Sequence, residues 1–224
     1  MGQPADSPEP TPGLGVETPS GPGVETPSGK DAAYENFPVG SFLLPARLRP
    51  HVARFYRFAR AIDDIADNTA LDADTKVRRL AGFEAALLGQ HPGDPEFATA
   101  HAMRDSLAET DITPRHCQDL IDVFKQDAVK GRYQDWDDLM HYCIRSAAPV
   151  GRYLIDLHGG SSLGYGPSDA LCNALQVINH LQDCQDDYRS LDRVYLPGDW
   201  LAAEGAVVED LDRPACTPAL RRVI

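Results

Sequence analysis

The sequence has little to staple it together. Its five cysteines (Cys117, Cys143, Cys172, Cys184 and Cys216) are odd in number and none forms a CxxC pair. This argues against a disulfide framework or a zinc site and for a reduced, cytoplasmic setting. No stretch approaches the ~20 apolar residues of a membrane span. The N-terminus also lacks the basic and apolar regions of a signal peptide. Positive charge is scarce: 21 Lys and Arg against 34 Asp and Glu leave a formal charge of −13. That balance argues against nucleic acid, whose phosphates demand a basic surface. It does not bar an anionic small molecule, because bound metal ions can invert the local charge. Sustained period-two alternation is missing as well, so strands are not expected and the expected class is all-α.

At 224 residues with 42% hydrophobic content, the chain can build one sizeable domain. Residues 1–30 are mostly Pro, Gly, Ser, Thr and Glu, with a short tandem repeat, Gly15–Gly21 echoed at Gly23–Gly29. They have too little to bury to offset the entropy of ordering and are expected to form a disordered tail, leaving 31–224 as the folded domain. Within it, residues 35–39 read as a lead-in, and Pro50 suits the first turn of a helix. Further helices are expected over Thr75–Leu88, Phe97–Glu109, Pro114–Lys130, Trp136–Leu157 and Ser168–Tyr188. Pro149 interrupts the fifth, which either bends there or ends and restarts. The small residues around Pro149 are expected to leave space in a cavity wall.

Two acidic clusters carry the chemistry: Asp63-Asp64-Ile65-Ala66-Asp67 and Asp183-Cys184-Gln185-Asp186-Asp187. Val52, Phe55, Tyr56, Ala59, Ile62 and Ala66 recur at helical spacing, and Asp63 falls on that stripe with Asp67 one turn on. Asn179, Asp183 and Asp187 form a similar row beside Leu175, Ile178 and Leu181. A carboxylate on a buried face is costly unless something positive meets it. Carboxylates at i, i+4 lie about 6 Å apart, close enough to flank a hard cation. Two opposed rows could therefore hold a diphosphate through divalent metal, with Arg60, Arg189 and Arg193 neutralising the remainder. Such a diphosphate becomes a good leaving group, and in an apolar cavity the outcome is a carbocation.

A single acidic cluster is as often a solvated helix face, so the argument rests on the pairing. Asp135-Trp136-Asp137-Asp138 shows the contrast: at a helix start it reads as capping. Gly159, Gly160 and Gly164 lack the pattern of a phosphate loop, and His180 reads as structural. Two other classes remain open. A helical Mg²⁺-dependent nucleotide pyrophosphohydrolase also uses acidic rows, though usually on helices close in sequence. A non-catalytic helical binding protein would bind no ligand through these aspartates.

These residues resemble the squalene/phytoene synthase family. Its first motif is matched by Arg60-Ala-Ile-Asp-Asp-Ile-Ala-Asp67, and its second by Asn179, Asp183 and Asp187 followed by Asp192-Arg193-Val194-Tyr195-Leu196-Pro197. Residues 35–39, 44–50 and 146–151 look like the bacterial branch associated with hopanoid synthesis. The resemblance implies an all-α isoprenoid synthase bundle around a central cavity. It implies Mg²⁺ (or Mn²⁺) held by Asp63, Asp67, Asp183 and Asp187. Arg60, Tyr56 and Asn179 would be catalytic, with Phe37, Arg193 and Tyr195 binding substrate. In that branch presqualene diphosphate ionises and water captures the rearranged cation to give hydroxysqualene, while condensation of farnesyl diphosphate belongs to a sister enzyme. Arg145 stands where eukaryotic squalene synthases are expected to carry a tyrosine tied to the first half-reaction, which favours the water-quenched branch. NADPH is not expected. A prenyl diphosphate is the implied partner, with room for peripheral membrane contact and for companion enzymes of the same pathway. Relatives continue beyond position 224, so a C-terminally shortened domain is expected.

Overall fold

The computed structural model describes residues 44–224, together with Glu25. Apart from Glu25, the expected tail lies outside the described residues, as do the lead-in at 35–39 and Phe37. The first helix, α1 (Arg49–Asp67), begins with Pro50 in its first turn, where the missing N–H costs nothing. A second, α2 (Ala73–Leu87), is capped by Asp72, whose Oδ1 accepts the Thr75 amide at 2.8 Å. Next come α3 (Ala98–Thr110) and α4 (Arg115–Asp127). The main core lies among these four helices, with Phe55, Phe58, Ile62, Ile65, Phe83 and Met103 in its centre. Each large side chain fully buried there contributes roughly 1.5–3 kcal/mol of transfer free energy.

This core shifts the expected stripe of α1. Phe58 and Ile65 are fully buried, whereas Val52, Tyr56 and Ala59 are only partly so. Neighbours on three sides cover a wider arc of α1 than the narrow stripe first read from spacing. Asp63 and Asp67 sit at the edge of that arc, half-buried.

The expected helix over Trp136–Leu157 is two helices, α5 (Trp136–Ser146) and α6 (Ala148–Leu157), joined at Ala147. Pro149 occupies the first turn of α6, so the chain ends one helix and starts another rather than bending a continuous one. Asp135 caps α5 as expected, its Oδ1 accepting the Asp138 amide at 2.8 Å. At Gly151 small size serves packing rather than space. Ala147, Ala148 and Pro149 are buried, and Gly151 lets α6 press against the longest helix, α7 (Tyr165–Leu191). A Cβ on Gly151 would overlap the Ser168 hydroxyl and fall 2.7 Å from Cys172 Sγ.

Two short strands correct the expectation of none. The two residues of β1 (Arg132–Tyr133) pair in parallel with β2 (Val194–Pro197). Neither is long enough to show an alternating pattern; the pairing comes from tertiary contact. Beyond them α8 (Gly198–Glu204) and α9 (Leu220–Val223) pack with β2 around Leu196, Leu201 and Leu220. The architecture is all-α with one minimal parallel pair.

Candidate active site

On α1, Tyr56, Arg60, Asp63, Asp64 and Asp67 follow helical spacing along one side, all half-buried. Arg60 reaches two of the acids: Nη1 lies 2.8 Å from Asp63 Oδ2, and Nη2 donates to Asp64 Oδ1 at 3.1 Å. Asp67, at the end of the helix, is met by Arg193 Nη1 at 2.9 Å.

Arg193 is delivered by the exit from α7. Asp192 adopts a left-handed conformation, φ 51°, and Arg132 clasps both its carbonyl and its carboxylate. Gly131 permits this, since a Cβ there would lie 2.8 Å from the Asp192 carbonyl oxygen. The Arg193 amide donates to the Asp187 carbonyl at 3.2 Å. The side chain then runs into the protein, where it is 8% exposed.

Beneath it lies a set of buried phenols and one buried acid. Asp127, at the end of α4, accepts the Tyr142 hydroxyl at 2.8 Å and the Tyr195 hydroxyl at 3.4 Å. Its backbone carbonyl accepts Arg193 Nη2 at 3.2 Å. Tyr133 stacks on Tyr195 at 5.3 Å, and His180 stacks on the same ring at 3.6 Å. Burial pushes the Asp127 carboxyl up to about 7, against the opposing pull of Arg193 and the Tyr142 hydroxyl. Burial likewise depresses His180 to about 3, with Arg193 adding to the effect.

The second acidic row lies on α7. Asn179 and Asp187 are half-buried, and Asp183 is exposed. The expected apolar surroundings are only partly covered: Leu175 and Ile178 are half exposed at 51% and 50%, while Leu181 packs toward β2 and α8. Desolvation raises Asp187 to about 6, the negative charges of Asp183 and Asp67 add to this, and Arg193 opposes it. Asp67 of the α1 row and Asp187 of the α7 row thus lie within one electrostatic field, together with Arg193. Desolvation, then the charge of Asp67, raises Asp63 to about 8, with Arg60 opposing.

Among the described residues no three acids, histidines or cysteines stand close enough to form a metal cage. The donor set nonetheless fits a hard cation. It is all oxygen, and two of its carboxylates, Asp63 and Asp187, are pushed up by burial and then by neighbouring acids, so the site is short of positive charge. Mg²⁺ commonly takes one or two carboxylates and completes its shell with water and phosphate oxygens. A cavity of about 580 Å³ opens elsewhere, among Leu88, Arg104 and Ile112, and none of the expected site residues line it.

Reading the sequence missed three participants. Asp127 continues the apolar row Leu120, Val123 and Phe124, the same signal that marked Asp63, but it belongs to no acidic cluster. Tyr142 belongs to neither acidic motif. Half-buried Lys76 on α2 also lies within the field of the site: burial and Arg193 lower its pKa, and Asp67 acts the other way.

A model of the family described as squalene/phytoene synthase matches residues 31–224. The chain belongs to the squalene/phytoene synthase family. A hydroxysqualene synthase of Rhodopseudomonas palustris is 50% identical over 190 residues, 85% of this chain and 64% of the relative. The hydroxysqualene synthase of Sinorhizobium fredii is 45% identical over 79% of this chain and 60% of its own length. This family member thus spans less than two thirds of the length of these curated relatives. Among solved structures, the crystal structure of squalene synthase HpnC from Alicyclobacillus acidocaldarius superposes with a TM-score of 0.72 at 34% identity. It covers 86% of this chain and 72% of that one.

Proposed function

We propose that this chain carries the diphosphate-ionising site of an enzyme that converts presqualene diphosphate to hydroxysqualene. The observation that carries the reading is the buried guanidinium of Arg193. It is paired with Asp67 of the first acidic row and lies within the field of Asp187 of the second. The identity to relatives named hydroxysqualene synthase supports the choice of reaction.

Bound Mg²⁺, held by Asp63, Asp67, Asp183 and Asp187, would supply charge neutralisation on the leaving diphosphate. Arg193 and Arg60 would donate to its oxygens, which gain charge as the bridging C–O bond breaks and its electron pair departs with the phosphate. The apolar side chains Leu171, Leu175 and Ile178, exposed beside the second row, would receive the hydrocarbon. Water would then add to the rearranged cation and lose a proton, leaving the alcohol. Nothing is reduced, so NADPH is not required.

The test is incubation of the protein with Mg²⁺ and presqualene diphosphate without reductant, in isotopically labelled water. Labelled hydroxysqualene and stoichiometric pyrophosphate are expected by mass spectrometry and phosphate detection. A hydrocarbon formed only with NADPH would favour the second reading, squalene formation from farnesyl diphosphate. The likeness to the Alicyclobacillus squalene synthase HpnC supports that alternative.

A further inference from the structure

Asp127 sits where two physical effects oppose a carboxylate. Its side chain is 1% exposed, and a buried charge is costly unless paired. It is also the last residue of α4, where the helix dipole disfavours negative charge. Yet it is the hub of the polar network under the acidic rows. Oδ2 accepts from Tyr142 and Oδ1 from Tyr195. The two phenolic oxygens lie 3.3 Å from each other. Arg193 Nε stands 4.0 Å from Oδ1, and Nη2 donates to the Asp127 carbonyl. The remaining terminal nitrogen of Arg193, Nη1, donates to Asp67 at 2.9 Å and to the Tyr195 hydroxyl at 3.4 Å. The guanidinium is thus held between Asp127, reached directly and through the Tyr195 hydroxyl, and Asp67 of the first row.

We propose that Asp127 is a positioning residue: it holds the inner edge of Arg193, directly and through the hydroxyls of Tyr142 and Tyr195, so that Nη1 meets the leaving diphosphate. This rests on the reading of the site as one that takes a diphosphate; it does not depend on which prenyl chain is attached. An alternative, purely structural role would tie α4 to β2 and leave the chemistry alone.

The two roles separate in a double-variant cycle on Asp127→Asn and Arg193→Lys. Asparagine keeps the shape and an accepting oxygen but removes the charge that orients the guanidinium. Two readouts are taken. One is binding of inorganic pyrophosphate with Mg²⁺, by titration calorimetry. The other is kcat and KM for presqualene diphosphate. Asp127→Asn is expected to weaken pyrophosphate about tenfold and to lower kcat about 10- to 100-fold with little change in KM. In the Arg193→Lys background the same change is expected to do almost nothing further, because the group it acts through is already gone. Equal losses in both backgrounds, or wild-type pyrophosphate binding and kcat in Asp127→Asn, would overturn the proposal.

If Asp127→Asn fails to fold, the variant pair Tyr142→Phe and Tyr195→Phe, each crossed with Arg193→Lys, asks the same question with the carboxylate left in place. Losses that persist with lysine at position 193 again count against the idea. If wild-type protein does not turn over presqualene diphosphate, the reaction assigned above fails, and the pyrophosphate cycle still decides the role of Asp127. Absence of Mg²⁺-dependent pyrophosphate binding in wild-type protein would overturn both.

Discussion

The two acidic rows look alike in sequence and differ in how the fold holds them. On α1, Phe55, Phe58, Ile62, Ile65 and Ala66 are buried, and each acid of the row has an arginine: Arg60 for Asp63 and Asp64, Arg193 for Asp67. On α7, a helix of 27 residues, only His180 is buried among the described residues. Leu171, Leu175 and Ile178 are half exposed, and Asp183 faces solvent. The first row is therefore set by packing and by ion pairs that exist before any ligand arrives. The second is aligned by helix periodicity, and its Asp187 lies within the field of Arg193 and Asp67. A ligand spanning both would find the first row already paired with arginines and the second row aligned on a more exposed helix.

Core truncation sharpens this contrast most. Phe58 is fully buried and packs near Phe83, ring centroids 6.4 Å apart. Phe58→Ala is expected to cost about 4 kcal/mol, as a large cavity does in a core that cannot collapse. Urea unfolding checks the figure, and a loss under ~1 kcal/mol would mean that α1 is no better anchored than α7.

Next in size is Arg193→Met. The substitution roughly keeps the volume but strips the cation from Asp127, 1% exposed, and from Asp67, 32% exposed. Leaving a buried acid unpaired is expected to cost about 3 kcal/mol. The same variant should lose Mg²⁺-dependent pyrophosphate binding, read by calorimetry. Retained binding would show that the two rows are not joined through this residue.

These two sites also show what could be read in advance. The helices of the main core were legible because their amphipathic spacing and end signals agree: Pro50 opens α1, and Asp135 caps α5. Asp67 and Arg193 were legible as members of motifs. The break at Ala147 was left open, because Pro149 fits both a kink and a fresh first turn; neighbours that bury Ala148 and Gly151 decide it. The strand pair was not legible. It depends on Arg132 meeting Asp192 across 60 residues, with Gly131 leaving room beside it, which no local pattern encodes. Asp127 was overlooked because a lone acid on an apolar row carries a weaker signal than a cluster, although the physics of burying it is the same.

A pH series addresses the floor shared by both rows. His180 is buried against Tyr195 and held near 3 by desolvation and Arg193, whereas an unfolded histidine titrates near 6.5. Between those values the unfolded chain binds the extra proton, so this residue's contribution to stability is complete above about pH 6.5 and declines as pH falls toward 3. Asp127 and Asp187, with raised values, act with the opposite sign, so wild type alone is ambiguous. The difference between wild type and His180→Gln isolates the histidine. It should shift by about 2 kcal/mol against wild type from pH 7 to pH 5. A flat difference in chemical denaturation would mean that the ring is solvated in the folded protein.

The smallest expected effect tests the exposed side of α7. Leu175 is 51% exposed on the helix that carries the second row, so Leu175→Gln removes little buried area and keeps a good helix former. Its cost to stability should stay within about 0.5 kcal/mol, far below that of Phe58→Ala. If the apolar face of α7 receives the hydrocarbon of a prenyl diphosphate, the same substitution should raise KM for the lipid substrate and leave pyrophosphate binding unchanged. A free pyrophosphate has no apolar part to lose contact, so the two ligands separate the face from the acids. Equal weakening of both would mean that Leu175 acts on the geometry of Asn179, Asp183 and Asp187 instead, and that the second row is less independent of its surroundings than its exposure implies.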